Sequence, residues 1–192
     1  MGKNRLEAFS DGVLAIIITI MVLELKVPHG TDFSVLKPLL PAFLSYVLSF
    51  VYVGIYWNNH HHMMHTVSRV NGGILWANLV LLFSLSLVPS ITGWMGENHF
   101  AAEPTALYGV VLMMCAISYT ILQAIIIRSH GREATLGRAV QRDWKGKLSL
   151  ALYASAIPCA FLRPWIAQAI YILVAMIWLV PDKRIERTIA QE

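Results

Sequence analysis

Asp11 and four histidines, His60, His61, His62 and His65, are the side chains of this sequence whose type and spacing could do chemistry. Three uses are open to them. His61 and His65 stand four apart, so on a helix they share a face, and with an oxygen from Asp11 they could hold a metal ion. Imidazoles titrate near neutrality, so the same groups could relay protons or sense pH. They could also form a hydrogen-bonded network that fastens one helix to another, the ordinary role of polar groups between apolar helices. The network carries most weight, because no second carboxylate accompanies the histidines and no His-Glu-x-x-His run is present. An enzyme is not expected. The chain shows no Ser-His-Asp set, no Cys-x-x-Cys pair and no Gly-rich phosphate loop, and Cys115 and Cys159 both lie inside apolar runs.

The elements that must position these groups follow from composition. Of 192 residues, 57% are hydrophobic and 14% charged, whereas a soluble domain carries about 25% charged residues. Mean hydropathy is +0.60, too apolar a chain to cover its own surface in water. An all-α integral membrane protein is therefore expected. A crossing needs about 20 apolar residues, and the sequence offers helices over about 5–27, 38–60, 72–95 and 105–128. The last apolar stretch, 148–180, would be about 50 Å long as one helix, and Arg163-Pro164 interrupts it. It reads as two short helices, 146–162 and 164–181, giving six spans in a single domain. A re-entrant hairpin is the alternative.

With six spans and both termini in the cytoplasm, the inner side holds Lys3, Arg5, Arg69, Arg128, Arg132, Arg138, Arg142, Lys145, Lys147, Lys183, Arg184 and Arg187. The outer side holds only Lys26, Lys37 and Arg163. The positive charge is thus a topology signal and not a nucleic-acid patch. The first apolar run is followed by Glu24-Leu25-Lys26-Val27-Pro28, without a small-residue cleavage site, so it reads as a membrane helix and not a signal peptide.

Helical periodicity sorts the first span. At about 100° per residue, Ile16, Thr19, Ile20 and Leu23 share one narrow sector, and Asp11 projects roughly 140° away from it. The stripe and the carboxylate cannot serve the same surface. An apolar stripe by itself reads as lipid contact or core packing. Asp11 needs a partner, and Arg5 and the histidines ending the second helix lie on its side of the membrane. Asn78, Ser84 and Ser86 in the third span read as interhelical hydrogen-bonding groups before pathway groups.

Motifs add a resemblance. Arg5-x-x-x-Phe9-Ser10-Asp11-Gly12, Trp57-x-Asn59-His60-His61 and Trp76-x-Asn78 resemble the prokaryotic transmembrane protein 175 family of potassium channels. The resemblance implies six helices per subunit with no pore loop, and the Thr-Val-Gly-Tyr-Gly filter sequence of other potassium channels is absent. It implies a homotetramer whose first helices line a central axis, with a constriction at Ile16, Ile20 and Leu23 and a polar ring at Thr19. It also implies a supporting network of Arg5, Phe9, Ser10, Asp11, Trp57, Asn59, His60, His61 and Asn78, with the role of each of His60, His61 and His62 open by one position. The expected protein is a passive, weakly potassium-selective channel of the plasma membrane. Its surroundings are lipid and permeant monovalent cations, without cofactor, bound metal or nucleic acid. The rival reading is a proton-coupled secondary transporter working through Asp11 and the histidines.

Overall fold

The computed structural model describes residues 2–131, 136 and 144–179. Among them the chain forms α1 (Lys3–Leu23), a short 3-10 helix (Phe33–Leu39) and α2 (Leu40–His65). It continues through α3 (Gly72–Ser86), α4 (Val88–Glu97), α5 (Ala102–His130), α6 (Trp144–Leu162) and α7 (Pro164–Leu179). The expected end of the last helix at 180–181, and the basic residues Arg132, Arg138, Arg142, Lys183, Arg184 and Arg187, lie outside the described residues.

Four segments, Lys3–Leu23, Phe33–His65, Gly72–Glu97 and Ala102–His130, are long and apolar enough to cross a membrane. In hydrocarbon every backbone polar group must be satisfied within its own segment, which is why these apolar runs are helical. The fourth is one continuous rod of 29 residues, about 44 Å long. The third departs from a single helix over 72–95. It breaks at Leu87 into α3 and α4, because Pro89 near the start of α4 lacks the N–H that a continuous ladder requires. The Leu87 N–H bonds Ser84 O at 3.3 Å, closing α3, and the Ile91 N–H bonds Leu87 O at 3.3 Å, opening α4. Beyond α4 the chain turns at His99 and Phe100, both in the left-handed region (φ 50° and 59°).

Residues 148–180 fold as two limbs. The Arg163 N–H caps α6 by bonding Cys159 O at 2.8 Å, and Pro164, whose missing N–H costs nothing there, opens α7. Small residues set this packing. Ala156, Ala160, Ala167 and Ala175 are buried where α6 and α7 meet the bundle. Gly109 of α5 lies under the Tyr171 hydroxyl, leaving no room for a Cβ. Lipid tails are as apolar as leucine, so close van der Waals contact of this kind holds such helices together.

Two cores result. One gathers Leu6, Leu14, Ile17 and Met21 of α1 with Met63, Leu81, Leu85 and Cys115. The other gathers Tyr52, Tyr108, Tyr153 and Tyr171 with the small residues of α6 and α7. α2, α4 and α5 contribute to both, and α1 is packed against α2, α3 and α4.

Candidate functional site: the first helix and its anchors

α1 is divided into three sectors by its own residue order. Leu6, Ser10, Leu14, Ile17 and Met21 recur at intervals of four, four, three and four, and all are buried against the rest of the chain. Ile16 (58% exposed), Ile20 (42%), Leu23 (80%) and the exposed Thr19 form a second sector, exposed and outside both cores. Asp11, also exposed, lies on a third. Thr19 donates its hydroxyl hydrogen to Ile16 O at 2.9 Å, so its oxygen presents only lone pairs to the surroundings.

The buried sector is anchored by one polar chain. His60 Nε2 and Asn78 Oδ1 are 2.7 Å apart, Asn78 Nδ2 donates to Ser10 Oγ at 2.9 Å, and Ser10 Oγ donates to Leu6 O at 2.9 Å. With the Asn78 amide oriented in this way, His60 carries its proton on Nε2. All three residues are buried, and they join α2, α3 and α1. Asn78 is fully enclosed, and Oδ1 and Nδ2 are both used, so none of its polar atoms is left without a partner.

Asp11 is held differently. Trp57 Nε1 donates to Asp11 Oδ1 at 3.1 Å on the exposed side of the α1–α2 contact. Neither Arg5 nor a histidine takes that role. Arg5 is exposed and lies by helical period in the sector of Ile16 and Leu23, away from Asp11. Among the described residues the one ion pair is Lys26–Glu97, at 2.7 Å beyond the other end of α1. Its hydrogen bond and the Glu97 charge raise the Lys26 pKa above the ordinary lysine value. His61 stacks on Trp57 with ring centroids 6.2 Å apart, and its Nε2 meets His65 Nε2 at 3.1 Å. Lys3 Nζ donates to the His65 carbonyl at 3.0 Å, a further tie from α1 to α2. Phe9 is half exposed and packs outward, while Asn59 bonds Ile55 O at 2.8 Å and turns toward α5, where Tyr119 OH donates to Asn59 O at 3.3 Å. So the structure joins Ser10, His60 and Asn78 in one chain, Asp11, Trp57 and His61 in another, and leaves Arg5, Phe9 and Asn59 outside both.

Two features escaped sequence reasoning. Glu7 Oε1 is buried with no hydrogen-bond partner among the described residues. A second hydroxyl network runs through the other core. Ser49 Oγ lies 2.6 Å from Thr92 Oγ1 and 2.9 Å from Tyr108 OH, Ser45 Oγ donates to Thr92 O at 3.3 Å, and Tyr52 OH donates to Tyr171 O at 2.6 Å. The signal was present in α2, where Ser45, Ser49 and Tyr52 recur at helical spacing on one face.

This arrangement has relatives. The family described as endosomal/lysosomal potassium channel TMEM175 matches residues 5–89, the stretch that carries α1, the network and the start of α4. A protein from Chryseobacterium sp. (strain P1-3) named as a potassium channel is 58% identical over 191 residues, the whole of both chains. The chain belongs to the TMEM175 family. The crystal structure of a lysosomal potassium-selective channel TMEM175 homolog from Chamaesiphon minutus superposes with a TM-score of 0.77 at 25% identity, covering 94% of this chain and 97% of that one. The rat endosomal/lysosomal proton channel TMEM175 is 29% identical over 187 residues, spanning 88% of this chain and 37% of the rat protein. TMEM175 proteins are ion channels and not an enzyme class. The chain is accordingly a multi-pass membrane protein of a potassium-channel family, and the carrier reading gives way to a channel.

Proposed function

We propose that this TMEM175 member is a passive, weakly potassium-selective cation channel of the plasma membrane with both termini in the cytoplasm. It works as a homotetramer in which four copies of α1 surround the conduction path. The observation that carries this reading is the separation of sectors on α1: Ile16, Thr19, Ile20 and Leu23 are exposed on one side, while another face is buried and hydrogen-bonded. Four such stripes around an axis give apolar rings at Ile16, Ile20 and Leu23, a constriction that dewets when narrow and conducts when slightly dilated. Aliphatic rings offer an ion no replacement for its hydration shell. Selectivity then reflects the lower cost of stripping water from potassium than from sodium, aided by the Thr19 oxygens, whose lone pairs are free because the hydrogen is committed to Ile16 O. The Ser10–Asn78–His60 chain and the Asp11–Trp57 bond hold α1 in register and take no part in ion contact.

The test is flux in liposomes containing only the purified protein. A potassium gradient should drive rapid, non-saturating flux that falls when sodium replaces potassium. Flux that saturates or requires a proton gradient would sink the proposal.

A further inference from the structure

We propose that His61 and His65, in the last turns of α2, form a binding site for a divalent transition-metal cation of the zinc, nickel and copper class. Their Nε2 atoms converge to 3.1 Å, with ring centroids 4.5 Å apart and ring planes at 78°. A zinc–imidazole bond is about 2.0–2.1 Å long, so one ion bonded to both nitrogens would subtend about 100° between them, close to tetrahedral. The bite is set before the ion arrives. The His61 ring is stacked on Trp57 at an interplanar angle of 26°, and the Trp57 indole is tied to Asp11 on α1. The Lys3 ammonium bonds the His65 carbonyl, holding that turn of backbone against α1.

Electrostatics at this helix end are mixed. The negative end of the α2 dipole favours a cation there, and so does the Asp11 carboxylate on the far side of Trp57. The Lys3 ammonium opposes it. Both ligating rings lie on the exposed side of the helix, where an ion can arrive with its waters. The donor set decides the class. Two neutral imidazoles suit zinc, nickel and copper, whereas calcium and magnesium require oxygen ligands. Among the described residues no third histidine, cysteine or carboxylate completes a cluster, so water fills the remaining positions and affinity falls well below that of a four-ligand structural site. An ion takes the place of the hydrogen bond between the two rings, so metal competes with protons for the same nitrogens. The inference is independent of the pore assignment.

The experiment is a Zn²⁺ titration of the purified full chain in detergent at pH 7.5, in competition with a fluorescent zinc indicator. One Zn²⁺ per chain is expected. His61→Asn and His65→Asn should each weaken binding at least tenfold, His62→Asn should leave it unchanged, and Mg²⁺ should not displace Zn²⁺. His65 lies at the helix end, so His65→Asn is a folded variant even where His61→Asn is not, as size-exclusion chromatography will report. The proposal is overturned by absence of stoichiometric zinc, by parent-like binding in His65→Asn, or by equal loss in His62→Asn, which would assign the ion to the run of imidazoles at large.

Discussion

Asn78→Leu removes the hub of the buried network at nearly constant volume, so the response reports hydrogen bonds and not a cavity. The consequences are unequal on the two sides. His60, 3% exposed, loses the acceptor for its Nε2 proton and has no water to turn to; an orphaned buried donor costs about 1–3 kcal/mol. Ser10 loses an incoming bond but still donates to Leu6 O at 2.9 Å, so its share is closer to the ~0.6 kcal/mol typical of interhelical bonds in membranes. The expected total is about 2–3 kcal/mol. Ser10→Ala strips Asn78 of one acceptor only and should cost about 1 kcal/mol. In the Asn78→Leu background Ser10 has no interhelical bond left, so the double variant should be scarcely less stable than Asn78→Leu alone. Equilibrium unfolding of the solubilised channel, followed by tryptophan fluorescence, measures all four corners of this cycle. If Ser10→Ala equals or exceeds Asn78→Leu, or the two add, the direction of the chain from His60 through Asn78 to Ser10 is wrong.

Four other outcomes are expected. Ile16→Asn places an amide in an apolar ring, should keep the constriction wet, and should raise sodium flux relative to potassium in liposomes; unchanged conductance and selectivity would remove Ile16 from the constriction. Asp11→Ala, which frees Trp57 Nε1, should reduce the fraction of protein recovered as a tetramer on size exclusion while the potassium-to-sodium ratio of what assembles stays the same. Gly109→Ala drives a methyl group against the Tyr171 hydroxyl, with Ile157 Cγ1 only 3.2 Å from the new carbon, and should destabilise the α5–α6–α7 packing by about 1–3 kcal/mol in a thermal melt. Glu97→Gln should move the Lys26 titration back down toward 10.5, read from the lysine side-chain NMR signal. Because the folded value is raised, the pair's contribution is present below that reference pKa and disappears as pH climbs through the folded one, so at neutral pH both proteins have a charged Lys26.

Much of the architecture was legible because membrane spans obey few rules. Length, hydropathy and the Arg163-Pro164 break place the rods, and helical period separates Ile16 and Leu23 from Asp11. The break at Leu87 was less visible: Pro89 was in plain sight, but proline is often tolerated in a membrane helix, and only backbone geometry says whether the ladder closes around it. Partner choice was the hardest to read. Charge alone suggested Arg5 or a histidine for Asp11, yet Trp57 stands four residues before His61 on the same face of α2 and reaches α1 first. His60, one position before His61, points instead into the bundle toward Asn78. Neighbours in sequence that differ by about 100° around a helix meet different helices, and composition cannot show which. The Ser49–Thr92–Tyr108 network stayed hidden because hydroxyls in apolar runs look alike until the helices carrying them are brought side by side.

The fastenings of α1 are unevenly distributed along its length. Lys3, Ser10 and Asp11 are tied at one end and Lys26 just past the other, while Leu14, Ile17 and Met21 between them meet their neighbours through hydrocarbon alone. Dispersion contacts have no preferred direction and yield by small increments. Thr19, by bonding back to Ile16 O, places a natural flexure in that same middle stretch. A rod clamped at both ends and lubricated at its centre bows without breaking a single polar bond. In the pore proposed above, such a helix would line an aperture that adjusts continuously, a soft constriction and not a latch with two settings.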